Sequence, residues 1–489
     1  MVEVSLSGSI PVASRNKPEN QKFKEQEKMA ENLQAINPSM KVEWAKLTPA
    51  QKRAARFNLL LAAAEKINFI SAEAREAYFT RLKRQINAYN VEEPDRVPVS
   101  INLDAKPMYE FGLDYNTGIH NYDLMRQAYH AFNEKYAAEL ETYVSPPIMF
   151  PAKAYEILDY KQYAWPGHGL APNGEGYQFV EGEYMKADEY DDFIRDPSDF
   201  WIRVFLPRAF GAFEPLRMFG SATTIIESIA GVAMLPLSTP QVQETLQKLQ
   251  EAGKELGKMM ALVMEFAQHG ASLGYPGFSF AFGKAPFDTL GDTLRGTQGI
   301  MKDMYRQPEK LLKAIDMVTD ITINNLITQA NAGGSNIAMF PLHKGADGWM
   351  SQKQFETFYW PSLKKVINAL VNEGILVICF AEGSYNTRLE TINEFPKGAV
   401  CWYFDQTDMS RAKKILGDKC CLMGNVPSSL LMTGSPAEVK AYCRNLIEVC
   451  GKGGGYILAP GSAGIDRAKI ENLRAMVEAA REYGVYRHS

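Results

Sequence analysis

The stretch from Gly374 to Asp405, GILVICFAEGSYNTRLETINEFPKGAVCWYFD, sets the tightest limit on what this chain can become. Two short apolar runs, residues 375–381 and 399–404, each stop at a carboxylate: Glu382 followed by Gly383 in one, Asp405 in the other. A short run of β-branched and aromatic residues that ends abruptly in a charge reads as a buried parallel strand delivering a side chain to its carboxyl end. Ligand and catalytic groups of parallel α/β folds collect at that end. Between the runs, Leu389, Ile392 and Phe395 fall at helical spacing, so residues 374–405 read as strand, helix, strand.

The same alternation extends in both directions. Strands are expected at 97–103, 147–150, 277–281, 336–342, 375–381, 399–404, 420–424 and 455–458. Helices are expected at about 122–143, 238–268, 286–305, 308–332, 352–372, 409–416 and 437–450. Eight strands alternating with helices, with no sign of an order reversal, predict an α/β fold of the closed (β/α)8 TIM-type barrel. Residues 155–235 break the rhythm and read as an insertion after the second strand, with Trp165-Pro166-Gly167-His168-Gly169 as a loop. Ahead of the barrel, residues 1–93 form an extension: a polar tail to about residue 42, then two helices. Thr48-Pro49-Ala50-Gln51 supplies an N-cap, a proline at the first helical position and a glutamine at the third. The barrel itself spans 94–489.

Charge narrows the partners. With 53 basic and 57 acidic residues and a net charge of −4, the chain has no field to recruit nucleic acid or an anionic membrane, which leaves a small-molecule partner. The six cysteines, Cys379, Cys401, Cys420, Cys421, Cys443 and Cys450, lack CxxC spacing and several lie inside apolar runs. They predict reduced, buried thiols in a cytoplasmic protein. No apolar run reaches spanning length, since residues 223–237 are too short and interrupted by Glu227.

In a barrel, the residues just past each strand share one mouth. Here they are Asp104, the segment Gly283-Lys284-Ala285-Pro286-Phe287-Asp288, then His343-Lys344-Gly345-Ala346-Asp347, Glu382, Asp405, Asn425 and Ser462. Glu382, His343 and Asp405 are the catalytic candidates, and Glu382 with His343 could also hold zinc or another divalent metal. Tyr385, Trp349 and Phe282 are placed to line an apolar pocket, with Lys284, Arg388 and Asn425 as further substrate contacts. Arg388 stands in the first turn of the expected helix, where a cation opposes the helix dipole, so it needs a partner such as Glu382 or a ligand. The competing reading for Glu382 and Asp405 is that they cap the helices that follow.

Several segments resemble the uroporphyrinogen decarboxylase superfamily, which includes the decarboxylase and the cobalamin-linked methyltransferases. Gly283-Lys284-Ala285-Pro286-Phe287-Asp288-Thr289-Leu290 is similar to the family's G-x-P-F-T-L segment. Ile415-Leu416-Gly417-Asp418-Lys419, Met423-Gly424-Asn425-Val426, Gly455-Tyr456-Ile457-Leu458-Ala459-Pro460-Gly461 and Glu471-Asn472-Leu473 match later family segments. The resemblance implies the barrel. The methyltransferase branch binds zinc through a His-x-Cys-Gly segment and a cysteine after the closing Ala-Pro-Gly; Phe380, Glu382 with Gly383, and Ser462 stand at those positions here. The decarboxylase branch uses an M-R-Q-A-G-R segment and an aspartate after the second strand. Met125-Arg126-Gln127-Ala128 repeats its first letters in a helical context, and no aspartate follows residues 147–150.

The resulting expectation is a methyltransferase moving a methyl group from a methoxy, methylamine or methylthio compound to a corrinoid protein. The chain carries no corrinoid-binding segment, so the corrinoid would arrive on a separate protein docking at the mouth. The alternatives are a decarboxylase acting on uroporphyrinogen or a related carboxylated substrate, and a non-catalytic barrel binding protein. The partners this implies are the small-molecule substrate and the separate corrinoid protein, with a homodimer as a further expectation.

Overall fold

The computed structural model describes residues 44–146, 151–220, 227–462 and 464–486. The expected second strand, 147–150, lies outside the described residues.

Six parallel strands pair in sequence order: β4 (Phe280–Phe282), β5 (Ile337–Leu342), β6 (Leu376–Ala381), β7 (Val400–Phe404), β8 (Cys421–Val426) and β9 (Tyr456–Pro460). The expected first strand runs along the far edge of β9. Val99 bridges Leu458 in parallel, the Ser100 N–H donates to the Leu458 carbonyl, and the Leu458 N–H donates to the Pro98 carbonyl, both at 2.9 Å. This is the (β/α)8 TIM-type barrel the alternation called for, and β6 to β9 are buried on both faces. All six residues of β6 and all five of β7 are buried.

The two faces serve different layers. Val377, Cys379, Ala381, Val400, Trp402 and Phe404 pack outward with the surrounding helices. Ile337, Ile378, Phe380, Cys401, Tyr403 and Met423 form the inner cluster, joined from one end by Phe57, Tyr78, Leu82 and Tyr89 of the first two helices. Those helices, Pro49–Ala64 and Ala72–Tyr89, therefore plug the strand-entering end of the barrel. The expected capping box forms, with the Thr48 hydroxyl accepting from the Gln51 N–H and the Gln51 side chain accepting from the Thr48 N–H. Glycines let the plug sit close. Gly454, with φ +77°, would put a Cβ 2.4 Å from the Glu92 carbonyl carbon, and Gly374, with φ +71°, would put one 2.5 Å from Lys52.

Two expectations change. Residues 386–392 form consecutive turns rather than the expected helix, and Arg388 within them turns inward to bond a neighbouring loop. The helix expected over 286–305 is broken into Pro286–Asp288, a π-helical turn Thr289–Arg295, and Gly296–Arg306. The insertion contains a small sheet in the order β2 (Gly169–Leu170), β1 (Tyr163–Pro166), β3 (Gln178–Phe179), with β1 and β3 antiparallel. Among the described residues no helix is long and apolar enough to cross a membrane. All six cysteines are buried and free.

Candidate functional site

Strand side chains alternate between faces, so each inward row continues past its strand end into the mouth. In β5 the row runs Ile337, Met339, Pro341 and reaches His343; in β6 it runs Leu376, Ile378, Phe380 and reaches Glu382. The β7 row reaches Asp405 through Cys401 and Tyr403, the β8 row reaches Asn425, and the β4 row reaches Lys284 through Phe280 and Phe282. The parity of the strands thus aims five polar side chains at one axis.

His343 and Glu382 meet there. The His343 Nε2 is 3.9 Å from Glu382 Oε1, and its Nδ1 donates to Asp292 Oδ2 at 2.6 Å. Asp292 lies in the π-helical turn, one turn after Asp288, and the wider winding brings both carboxylates onto the His343 loop. Asp288 is fully buried and satisfied: it accepts from the backbone N–H of His343 at 3.0 Å and of Lys344 at 3.1 Å, and from the Tyr359 hydroxyl at 2.7 Å. Lys344 Nζ lies 2.9 Å from Asp292 Oδ1 and Lys284 Nζ 3.1 Å from Oδ2. The Lys344 stem runs directly over Gly291, where a Cβ would stand 2.7 Å from its Cε, so a side chain here would push the lysine aside.

One carboxylate therefore faces three cationic groups. Burial opposes ionisation of Asp292, but the hydrogen bond from His343 and the charges of Lys284, His343 and Lys344 hold its pKa well below the usual carboxylate range. Burial alone would lower the His343 pKa; the bond to Asp292, with the charges of Asp292, Asp288 and Glu382, raises it on balance. Burial pushes the pKa of Glu382 up, and Asp405 likewise. His343 and Glu382, 3.9 Å apart at the mouth, thus both have raised pKa values and each favours its protonated form.

The remaining candidates divide. Asp405 Oδ2 accepts from the Gly383 N–H at 3.0 Å, and it does not cap the helix Met409–Leu416, whose N-cap is Asp408. Glu382 has no helix after it to cap. Phe282 is 55% exposed at the mouth. Trp349 stacks edge-on to Phe287, with Lys344 Nζ 5.4 Å from its ring centre. Tyr385 is buried behind Gly345 and Tyr359 and forms the back of the site. Asn425 is committed to backbone, donating to the carbonyls of Asp405 at 3.0 Å and Thr407 at 2.8 Å. Arg388, expected as a substrate contact or a partner for Glu382, is neither. It is 1% exposed and clamps the loop after His343, donating to the Gly345 carbonyl at 3.3 Å, the Met350 carbonyl at 2.5 Å and Gln352 Oε1, with its guanidinium over the Phe355 ring.

Asp288, Asp292, Lys344 and Tyr359 complete the site; the sequence placed Asp288 and Lys344 at the mouth without a role and did not single out Asp292 or Tyr359. The signal was present in two acids four residues apart inside an apolar segment just past a strand end, a spacing that aims both at one neighbour. The insertion also contributes. Lys284 Nζ lies 6.0 Å from the centre of the Phe179 ring, and Phe179 packs on Tyr163, so the small sheet borders the mouth.

The donor set fits a resident divalent metal poorly. His343 Nε2 and Glu382 face each other, but among the described residues no group of three or more His, Cys, Asp or Glu side chains could hold a metal ion. The Nδ1 of His343 is taken by Asp292, two lysine ammonium groups crowd that carboxylate, and the cysteines are buried in the walls.

A closed β/α barrel with titratable groups clustered at the carboxyl ends of its strands is the architecture of an enzyme scaffold. A family profile described as Uroporphyrinogen decarboxylase (URO-D) matches residues 208–483, and the chain belongs to that family. Among similar proteins, the uroporphyrinogen decarboxylase of Actinobacillus succinogenes is 25% identical over 270 residues, covering 54% of this chain and 71% of the relative. That of Chlorobaculum parvum is 27% identical over 195 residues, covering 38% and 53%. A solved methyltransferase from Methanosarcina mazei matches with a TM-score of 0.50 at 17% identity, covering 82% of this chain and 98% of the other, which bears on the fold alone.

Proposed function

We propose that the protein is a methyltransferase that moves a methyl group from a methylated small molecule, a methoxy, methylamine or methylthio compound, to a corrinoid carried by a separate protein. The observation that carries this reading is the line Asp292, His343, Glu382, which sets an imidazole of raised pKa at the end of the inward strand rows. Loss of a methyl group leaves an electron pair on the oxygen, nitrogen or sulfur it departs from, and a proton delivered to that atom makes it a better leaving group. The bound corrinoid supplies the cobalt centre that accepts the methyl group. His343 Nε2 is the proton donor, Asp292 keeps the ring oriented and charged, and Glu382 reprotonates the imidazole from solvent. Phe282 and Trp349 offer apolar surface for the substrate body.

A second reading has a specific observation in its favour. Lys284, Lys344 and a protonated His343 gather on one side of the mouth, which suits a carboxylate substrate and hence decarboxylation. The test mixes the protein with a methyl-free corrinoid protein and each donor class in turn, following the corrinoid absorption spectrum, with uroporphyrinogen turnover measured in parallel. Methylation of the corrinoid that is lost in His343→Gln supports the first reading. Porphyrinogen turnover without it supports the second, and a folded protein inert in both leaves the barrel as a binding protein.

A further inference from the structure

Charge at the mouth is segregated. The cationic groups, Lys284, His343 and Lys344, stand past β4 and β5 around Asp292. The strands that follow end in acceptors: Glu382 past β6, Asp405 past β7 and Asn425 within β8. The strand that pairs along β9 at Val99 adds another. Its Val97, Ile101 and Leu103 pack into the outer cluster, so the alternate row faces inward and closes on Asp104.

The orientation of Asn425 makes it an acceptor. Its amide nitrogen donates to the carbonyls of Asp405 and Thr407, at 3.0 and 2.8 Å, and turning the amide over would set oxygen against both. That leaves Oδ1 as the uncommitted end of a side chain on the inward face of β8. The residue is 7% exposed, and this oxygen accepts no hydrogen bond among the described residues. A buried acceptor without a donor costs stability, and one that ends an inward strand row at a barrel mouth is accounted for by a ligand that brings the donor.

Asp405 is in a similar position. Its Oδ2 takes the Gly383 N–H, and the groups that act on its charge are burial, that N–H and the Gln406 side chain, with no cation among them. A Cβ at Gly461, just past β9, would stand 3.3 Å from Asp405 Oδ1, so glycine there keeps that oxygen uncrowded. Among the described residues Glu382 has one cationic neighbour, His343 at 3.9 Å.

We propose that the arc Glu382, Asp405 and Asn425 binds a protonated amino group of the substrate, which therefore carries an ammonium as well as the methyl-bearing atom that faces His343. A primary ammonium has three N–H donors and a charge, which suits three acceptors of which two are carboxyl groups. A neutral ether or thioether without an amino group would leave Asn425 Oδ1 unpaired and the two acids without a counter-charge. The arc thus selects amino-bearing compounds among methylated small molecules; which end of the substrate reacts rests on the methyl-transfer reading.

Binding without turnover tests this. 2-Methoxyethylamine and 2-methoxyethanol are matched in size and carry the same methyl ether, and each is titrated against the full chain at neutral pH by ligand-observed nuclear magnetic resonance. The expected result is an affinity for the amine about tenfold or more above that for the alcohol. The difference is lost in Asp405→Asn and in Glu382→Gln, each checked for fold by a thermal melt. Equal affinity for the two probes, no measurable binding of the amine, or a preference that survives in either folded variant overturns the proposal. The readout uses no corrinoid. Amine preference in a protein that never methylates a corrinoid keeps the ammonium site and removes the methyl-transfer reading, whereas corrinoid methylation without amine preference removes the ammonium site alone.

Discussion

The imidazole of His343 and the carboxylate of Asp292 are joined at 2.6 Å although 51 residues separate them in the chain. Asp292 is itself held by Lys344 and Lys284, so the histidine is anchored to a carboxylate that stays ionised. His343 then presents only Nε2 to the mouth, toward Glu382. The site's chemistry rests on that asymmetry: one nitrogen is fixed by structure and the other is free to exchange a proton.

Arg388→Ala should leave the mouth residues in place chemically yet destabilise the fold. The guanidinium bonds the Gly345 and Met350 carbonyls from a buried position, and truncation strands those acceptors and opens a cavity beside Phe355. The expected loss is about 3 kcal/mol, measured by urea unfolding monitored through tryptophan fluorescence. A loss below about 0.5 kcal/mol would mean the clamp contributes nothing.

Gly454→Ala should loosen the plug at the strand-entering end. Alanine disfavours φ +77°, and its Cβ would fall 2.4 Å from the Glu92 carbonyl carbon. The expected cost is about 2 kcal/mol or more, with faster amide exchange in the helix Ala72–Tyr89. Unchanged exchange there would separate the glycine from the docking of the extension.

Asp104→Asn should stabilise the protein at alkaline pH and lose that advantage in acid. Burial and the neighbouring Asp466 push the Asp104 pKa up to about 7, so the folded state binds its proton more tightly than the unfolded chain does. The parent's stability from this group is present below the unfolded pKa near 4 and is lost as pH rises through about 7. The variant should therefore gain about 1–3 kcal/mol at pH 8 relative to its difference at pH 4. A pH-independent difference between parent and variant contradicts this.

The barrel was legible because buried parallel strands are continuous apolar runs, and those ending at Ala381 and Phe404 stop at a charge. Strand parity then aims Glu382, His343 and Asp405 at one axis, and this too could be counted from the sequence. Arg388 misled because a cation after a strand end looks exposed in a linear reading. Only the turns of 386–392, which replace the expected helix, direct it into the loop after His343. Asp292 was hidden for the opposite reason: helical spacing within residues 286–305 does not announce a π-helical turn, and without it nothing tells which of several acids faces the histidine.

The measurement closest to the central claim is the titration of His343 by nuclear magnetic resonance, comparing the parent with Asp292→Asn and Glu382→Gln. The predicted result is an imidazole that titrates above the ordinary histidine value in the parent, falls sharply in Asp292→Asn, and falls by less in Glu382→Gln. An imidazole that titrates at or below the ordinary value and ignores the loss of the Asp292 charge would contradict a proton held at the barrel mouth.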